Sequence, residues 1–368
     1  MLRSTALRAA LALFVFALPA AAQSYVFRMN QSASNFTWTG TSTLGPIQGN
    51  PSNTFQFAGT TQLDLAAVPS ASFTTGAFTG GDAFTVPDIH GRIPNPIPIF
   101  PPLATIDVVG LHVVASSPSF PMLAGSFNAS VTITAIAGTM TVTPLGGSAT
   151  SSPLAGSTSA PTAVTGTVSL VGSGLHLVAP ISTTFPFADP TSGASGSITL
   201  TGTLDATYAL YSPYCFGDGS GTACPCANNS LPAAQAGCLS SIGSAGRLTA
   251  SGLPIVTADT LALNASGMPA TVACLYFQGT LADNGGLGSL RGDGLICTAG
   301  TLLRLGTRTN SAGASSFPGP GGPLVSVRGG VNPAGGTYFY QAWYRNAAAF
   351  CTPETFNLTN GVAVTWLP

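Results

Sequence analysis

Three histidines, eleven carboxylates and seven cysteines are the side chains of this 368-residue chain that could do chemistry near neutral pH. The densest cluster is Val86-Pro87-Asp88-Ile89-His90-Gly91-Arg92, where an acid, an imidazole and a guanidinium share loop-like sequence. Asp88, His90 and Arg92 are therefore binding candidates. A hydrolase built on Asp88 and His90 would need both to converge with a nucleophile in a cleft. The simpler expectation is that Asp88 pairs with Arg92 and that His90 bonds locally. His112, inside Val108-Val109-Gly110-Leu111-His112-Val113-Val114, belongs on a strand, and His176 stands far from both. No G-x-S-x-G and no H-E-x-x-H occurs, so serine-hydrolase and zincin chemistry lack their motifs and a non-enzyme is expected. Asp218, Asp283 and Asp293 sit in Gly-rich turns and are calcium candidates, although none completes a D-x-D-x-D-G loop. Local capping by Asp accounts for them without metal, so no cofactor is expected. Arg291-Gly292-Asp293 spells an adhesion tripeptide in one of these turns. Trp343 and Tyr344 could present an aromatic platform to sugar rings, or belong to a core.

The cysteines carry the other chemistry. Cys215, Cys224, Cys226, Cys238, Cys297 and Cys351 are expected in disulfides, because the first 22 residues have the pattern of a secretory signal. Arg3 and Arg8 precede an apolar run from Ala9 to Leu18, and Ala20 and Ala22 suit a peptidase. Six cysteines allow fifteen pairings; proximity suggests Cys215 with Cys224, Cys226 with Cys238 and Cys297 with Cys351. Cys224 and Cys226 should not bridge each other across Pro225. A four-thiolate zinc site is the rival, on spacing unlike a zinc ribbon. Cys274 is left as a buried free thiol.

These residues need a scaffold, and composition says which. Asp, Glu, Lys and Arg make up 6% of the chain against about a quarter in typical domains. The net charge is -1, all ten bases are Arg, and Glu354 is the single Glu. Nucleic-acid binding is excluded on charge, and helices laced with Glu and Lys pairs are excluded on residue type. No later run approaches the roughly 18 apolar residues of a membrane span. Short period-2 stretches recur instead: Tyr25, Phe27 and Met29; Phe36 and Trp38; Phe55 and Phe57; Leu63 and Leu65; Ile198 and Leu200. An all-β chain of two sandwich or barrel-like domains follows, one over 23–212 and a disulfide-stapled one over 213–368. In the first, the proline-dense segment 92–102 is expected to pack over a sheet edge or core mouth, and 146–166 to be a mobile loop. In the second, Val325 and Val327 read as strand and Asn360-Gly361 as a turn before the last strand.

Two resemblances add to this. Tyr214-Cys215-Phe216-Gly217-Asp218-Gly219-Ser220-Gly221-Thr222-Ala223-Cys224-Pro225-Cys226, Leu275-Tyr276-Phe277-Gln278-Gly279, Gln341-Ala342-Trp343-Tyr344-Arg345 and Phe350-Cys351-Thr352-Pro353 resemble a module of uncharacterised secreted proteins of environmental bacteria. That resemblance implies a reused exported β module and brings no activity. Tyr25-Val26-Phe27, Ser34-Asn35-Phe36-Thr37-Trp38-Thr39-Gly40 and Phe57-Ala58-Gly59-Thr60 resemble the opening of the polyisoprenoid-binding, lipocalin-like family, which implies a barrel around an apolar ligand. The expected protein is secreted, at the cell surface or in the periplasm. It is a non-catalytic structural or binding protein of the envelope or matrix, with carbohydrate among the candidate partners. The alternative is a carrier of a lipid or isoprenoid in the N-terminal domain.

Overall fold

The computed structural model describes residues 22–68, 72–188, 195–346 and 350–368; positions 1–21 of the expected leader lie outside them. The chain is all-β. About 60% of it is strand and 5% helix.

The first thirteen strands are β1 Gln23–Met29, β2 Asn35–Ser42, β3 Gly45–Gly49, β4 Thr54–Val68, β5 Ser72–Val86, β6 Ile89–Ile93, β7 Ala104–Ser116, β8 Phe120–Leu123, β9 Ser126–Pro144, β10 Thr150–Pro153, β11 Thr162–Val171, β12 Gly174–Ala188 and β13 Ser195–Ala209. They form one antiparallel sheet that closes on itself, because β9 pairs with β7 and β8 on one side and with β10 and β11 on the other. Many of these strands are halves of longer staves. Arg28 lies opposite Thr207 and Phe36 opposite Gly202, so β1 and β2 run in turn along β13, broken at 30–34. In the same way β3 leads into β4, β5 into β6, β7 into β8 and β10 into β11. With β9, β12 and β13 these make an up-and-down barrel of eight staves, a size whose interior is filled by side chains or holds one small ligand.

Alternation decides which residues fill it. Tyr25, Phe27, Phe36, Trp38, Phe55, Phe57, Leu63, Leu65 and Leu200 all point inward and are buried, while Thr, Ser and Gln neighbours face water. Burying one such side chain is worth about 1.5–3 kcal/mol, so a one-residue slip of any stave would be costly.

One end of the barrel carries the connections 43–44, 94–103 and 145–149. There the proline-dense segment departs from expectation. It does not pack over a core mouth, since Ile99 is 86% exposed, with Ile97 and Phe100 also out. Its fixed backbone instead projects from the hairpin closed by Leu103 N donating to Ile93 O (2.8 Å). The segment 146–166 is also no free loop. Beyond its turn it runs beside β9, with Leu154 N bonded to Gly138 O (2.9 Å) and Ala135 N to Ser157 O (2.8 Å).

The remaining strands are β14 Tyr211–Tyr214, β15 Arg247–Ser251, β16 Ala262–Ser266, β17 Ala273–Gly279, β18 Leu281–Ala282, β19 Ser289–Arg291, β20 Gly294–Ile296, β21 Thr298–Ala299, β22 Leu303–Thr309, β23 Ser315–Phe317, β24 Gly336–Arg345, β25 Phe356–Leu358 and β26 Gly361–Trp366. The chain leaves the barrel ladder at Ala209 and enters the second sheet at Tyr211, with Ser212-Pro213 inside β14. The order β14-β26-β24-β17-β22, with β25 beside β24, stacks on β15-β16-β23. Leu248, Leu263 and Phe317 from the smaller sheet meet Tyr276, Tyr340, Tyr344, Val364 and Trp366 from the larger in one core. The two halves touch at the other barrel end, where Tyr208 and Thr365 hydroxyls meet at 2.7 Å and Thr365 N donates to Leu210 O (2.7 Å).

Two local readings are corrected here. Val325 and Val327 lie in the short helix α1 Val325–Gly329 rather than in a strand, its first turn fixed by Asp259 Oδ2 accepting from Ser326 N (2.7 Å). Asn360-Gly361 is no hairpin turn, because β25 and β26 lie one after the other along β24. Gly361 is needed because the Tyr214 ring lies 2.5 Å from where a Cβ would stand.

The disulfides also differ from the proximity pairing. The bonds are Cys215–Cys297, Cys224–Cys238 and Cys226–Cys351, not Cys215–Cys224, Cys226–Cys238 and Cys297–Cys351. The long-range ladder decides this. β14 is anchored against β26, and Tyr214 donates its hydroxyl to Cys297 O (2.8 Å), which sets Cys215 against Cys297. Gly217 lies directly on Gly237 and Cys238, bringing Cys224 to Cys238. Cys226 has a left-handed φ of 57°, which turns it from Cys224 toward Cys351. Cys274 is free and buried, and its burial pushes the thiol up to about 11.

Candidate ligand-binding site

Of the Asp88, His90, Arg92 cluster, His90 and Arg92 lie on the barrel wall in β6, and Asp88 in the short link that precedes it. β6 alternates Ile89 in, His90 out, Gly91 in, Arg92 out. Asp88 does not pair with Arg92; its Oδ1 accepts from Gly110 N (2.8 Å). His90 Nδ1 meets Asp107 Oδ1 at 2.7 Å, directly across the β6–β7 ladder. The other histidines repeat the motif. His112, on β7, meets Asp82 at 2.6 Å and stacks on Phe84, and His176 meets Asp205 at 2.9 Å. The fold separates the three pairs on the outer wall. The two exposed pairs, His90–Asp107 and His112–Asp82, contribute about 0–1 kcal/mol each, while His176–Asp205 is part-buried.

The three calcium candidates are also spread apart, and among the described residues no three His, Cys, Asp or Glu side chains converge. Asp218 accepts from Ser220 N (2.9 Å) and Oγ, which holds its carboxyl below the usual range. Asp283 N donates to Cys297 O (2.8 Å). Asp293 is wholly buried, accepting at Oδ1 from Thr352 N and Oγ1 (2.9 Å each) and at Oδ2 from Asn346 Nδ2 (2.8 Å). It braces the 350–355 segment, so the tripeptide at 291–293 does not present its carboxylate. Tyr344 is likewise a core residue, 0% exposed, and leaves the aromatic platform; Trp343, on the opposite face of β24, remains partly open.

A cavity lies away from all of these candidate residues. The β11–β12 ladder runs only from Thr167–Val178 to Val171–Gly174. Beyond a side-chain contact between Thr162 and Thr183 Oγ1 (3.4 Å), no ladder among the described residues joins the far half of β12 to the 150–161 segment. The barrel wall is open there as a lateral slot. Pro153 stands on one lip and Pro186 on the other, and proline has no N–H with which to extend a ladder. Behind the slot is a cavity of about 250 Å³ walled by Ile89, Val108, Met140, Leu154, Phe185 and Ile198. Leu200 also borders a deeper void of about 40 Å³ among Phe36, Phe57 and Phe78. Thr61 lines that void with a buried hydroxyl that has no hydrogen-bond partner among the described residues. Outside, Leu44, Ile97, Ile99, Phe100 and Leu145 are exposed at this same end of the barrel, in connections without charged side chains. The sequence signal for the slot was the pair of prolines inside otherwise strand-like stretches. Compared with known proteins, the chain matches no family model, no curated protein and no solved structure.

Proposed function

We propose that the chain is an exported, non-catalytic binding protein of the cell envelope or extracellular matrix whose barrel carries an apolar ligand, a lipid or isoprenoid chain, through the slot between β10 and β12. The observation that carries this reading is the apolar cavity behind an unbonded stretch of wall. At about 250 Å³ it sits just under the roughly 300–1,000 Å³ of small-molecule sites, which suits one slender chain. The apolar rim supports ligand arrival from a hydrophobic phase. The resemblance of the first strands to the polyisoprenoid-binding family points the same way. Export is supported by three disulfides, which persist in oxidising compartments. No helix among the described residues is long and apolar enough to cross a membrane. The non-catalytic reading rests on the separation of the three His–Asp pairs along an open wall.

Native mass spectrometry of the full chain purified from an exporting host tests this, together with titration by N-phenyl-1-naphthylamine. An apolar adduct and saturable probe fluorescence are expected. Ala135→Phe, which fills the cavity, should weaken probe binding roughly tenfold or more while the variant stays folded by near-ultraviolet circular dichroism. A native protein that carries no adduct and leaves the probe dark would sink the proposal.

A further inference from the structure

The larger sheet of the C-terminal half has a second face, and part of it is open. Between the β19–β20 hairpin and the start of β22 runs a groove of about 530 Å³ floored by Phe277, Trp343 and Phe356. The rings of Trp343 and Phe356 lie 5.4 Å apart and 35° from parallel, giving a continuous, gently angled aromatic floor. Gly292 is the residue that lets the hairpin approach, since a Cβ there would meet the Phe356 ring at 2.4 Å.

What surrounds this floor is unusual for so thinly charged a chain. The ten bases are all Arg, and Arg3 and Arg8 fall outside the described residues. Of the other eight, Arg291 and Arg304 line the groove and Arg345 stacks on Trp343 at 5.2 Å. Among the described residues every ion pair is His with Asp, so no arginine contacts a carboxylate. The groove lining holds no acid at all. Arg345 is fixed by Thr355 Oγ1 (2.9 Å), while Arg291 and Arg304 are exposed and have no hydrogen-bond or ion-pair partner among the described residues.

We propose that this groove binds an acidic polysaccharide, a chain of uronic-acid sugars. The apolar faces of the pyranose rings rest on the aromatic floor, and successive carboxylates meet guanidiniums, whose planar forks match them. On the neighbouring edge strand, Arg328 Nε donates to Leu305 O (2.8 Å), which takes up one of the carbonyls an added peptide strand would pair with. The site is separate from the barrel slot and stands or falls without it.

Native affinity electrophoresis of the full chain tests the assignment, with alginate in the gel and with dextran and poly-glutamate as controls. Alginate should retard the protein, dextran should not, and poly-glutamate should act only weakly. Arg291→Gln with Arg304→Gln should weaken the alginate interaction at least roughly tenfold, because each loses a charge-assisted contact. Trp343→Ala should weaken it as well, and all three sites are exposed enough for the fold to be checked independently by its thermal transition. Equal mobility in alginate and dextran, equal retardation by poly-glutamate, or arginine variants that behave as the parent would each overturn the proposal.

Discussion

Asp293 shows how one side chain can be misread from its neighbours in sequence. Beside Arg291 and Gly292 it suggests a ligand or an adhesion motif, yet its carboxylate is spent on Thr352 and Asn346. Asp293→Ala should strand those buried donors and destabilise the protein by about 3 kcal/mol, read from the urea midpoint at unchanged m-value. Cys274 should be inert for a related reason. Its thiol stays protonated up to about pH 11, so a maleimide should label one site per chain only after denaturation. Tyr25, Tyr214, Tyr276, Tyr340 and Tyr344 are all raised, burial being the largest cause in each. Raised phenols keep their protons in the folded state while the unfolded chain loses them above about pH 10. Their stabilisation is therefore present in full below about pH 10 and is lost as pH rises past it. Ultraviolet titration should show these five ionising together with cooperative unfolding; phenolate absorbance growing smoothly in a folded protein would contradict the burial.

At the scale of elements, the staves were legible and their joints were not. Period-2 runs such as Tyr25-Phe27-Met29 fix which face is buried, because a slip of one residue would invert it. Cysteine pairing depends on β14 lying against β26, a contact across about 150 residues of sequence that no local spacing encodes. The slot was equally hidden, since Phe185 and Ile198 look like ordinary strand residues and only Pro153 and Pro186 hint that a ladder stops. Asp88 and Arg92 misled because they stand four residues apart along an extended segment: Asp88, just before β6, takes Gly110 N instead, and His90 bonds Asp107 across the ladder. The disulfides differ in reach, with sequence separations of 14 for Cys224–Cys238 and 125 for Cys226–Cys351. On loop entropy, replacing both members of the longer pair by Ser should cost about 4–5 kcal/mol and the shorter about 3, with chemical denaturation ranking them. The reverse ranking would mean that native-state strain or unfolded-state structure governs instead.

Across the whole molecule, the barrel meets the sandwich at one end and presents its slot and bare rim toward the other. The Tyr208–Thr365 contact and Leu367, which packs with the barrel core, tie the halves together at the closed end. Hydrogen exchange should mirror this polarity. Amides on the slot side of 179–188 should exchange faster than those of β13 paired with β2 over 196–202, which sit in a continuous ladder. An unzipped seam has a mechanical consequence as well. Prising its lips apart breaks no main-chain hydrogen bond among the described residues, so under the proposed function the girth of an accepted guest would be set by how far Phe185, Phe187 and Leu154 can swing, and swapping those three should retune it while the hoop itself keeps its register.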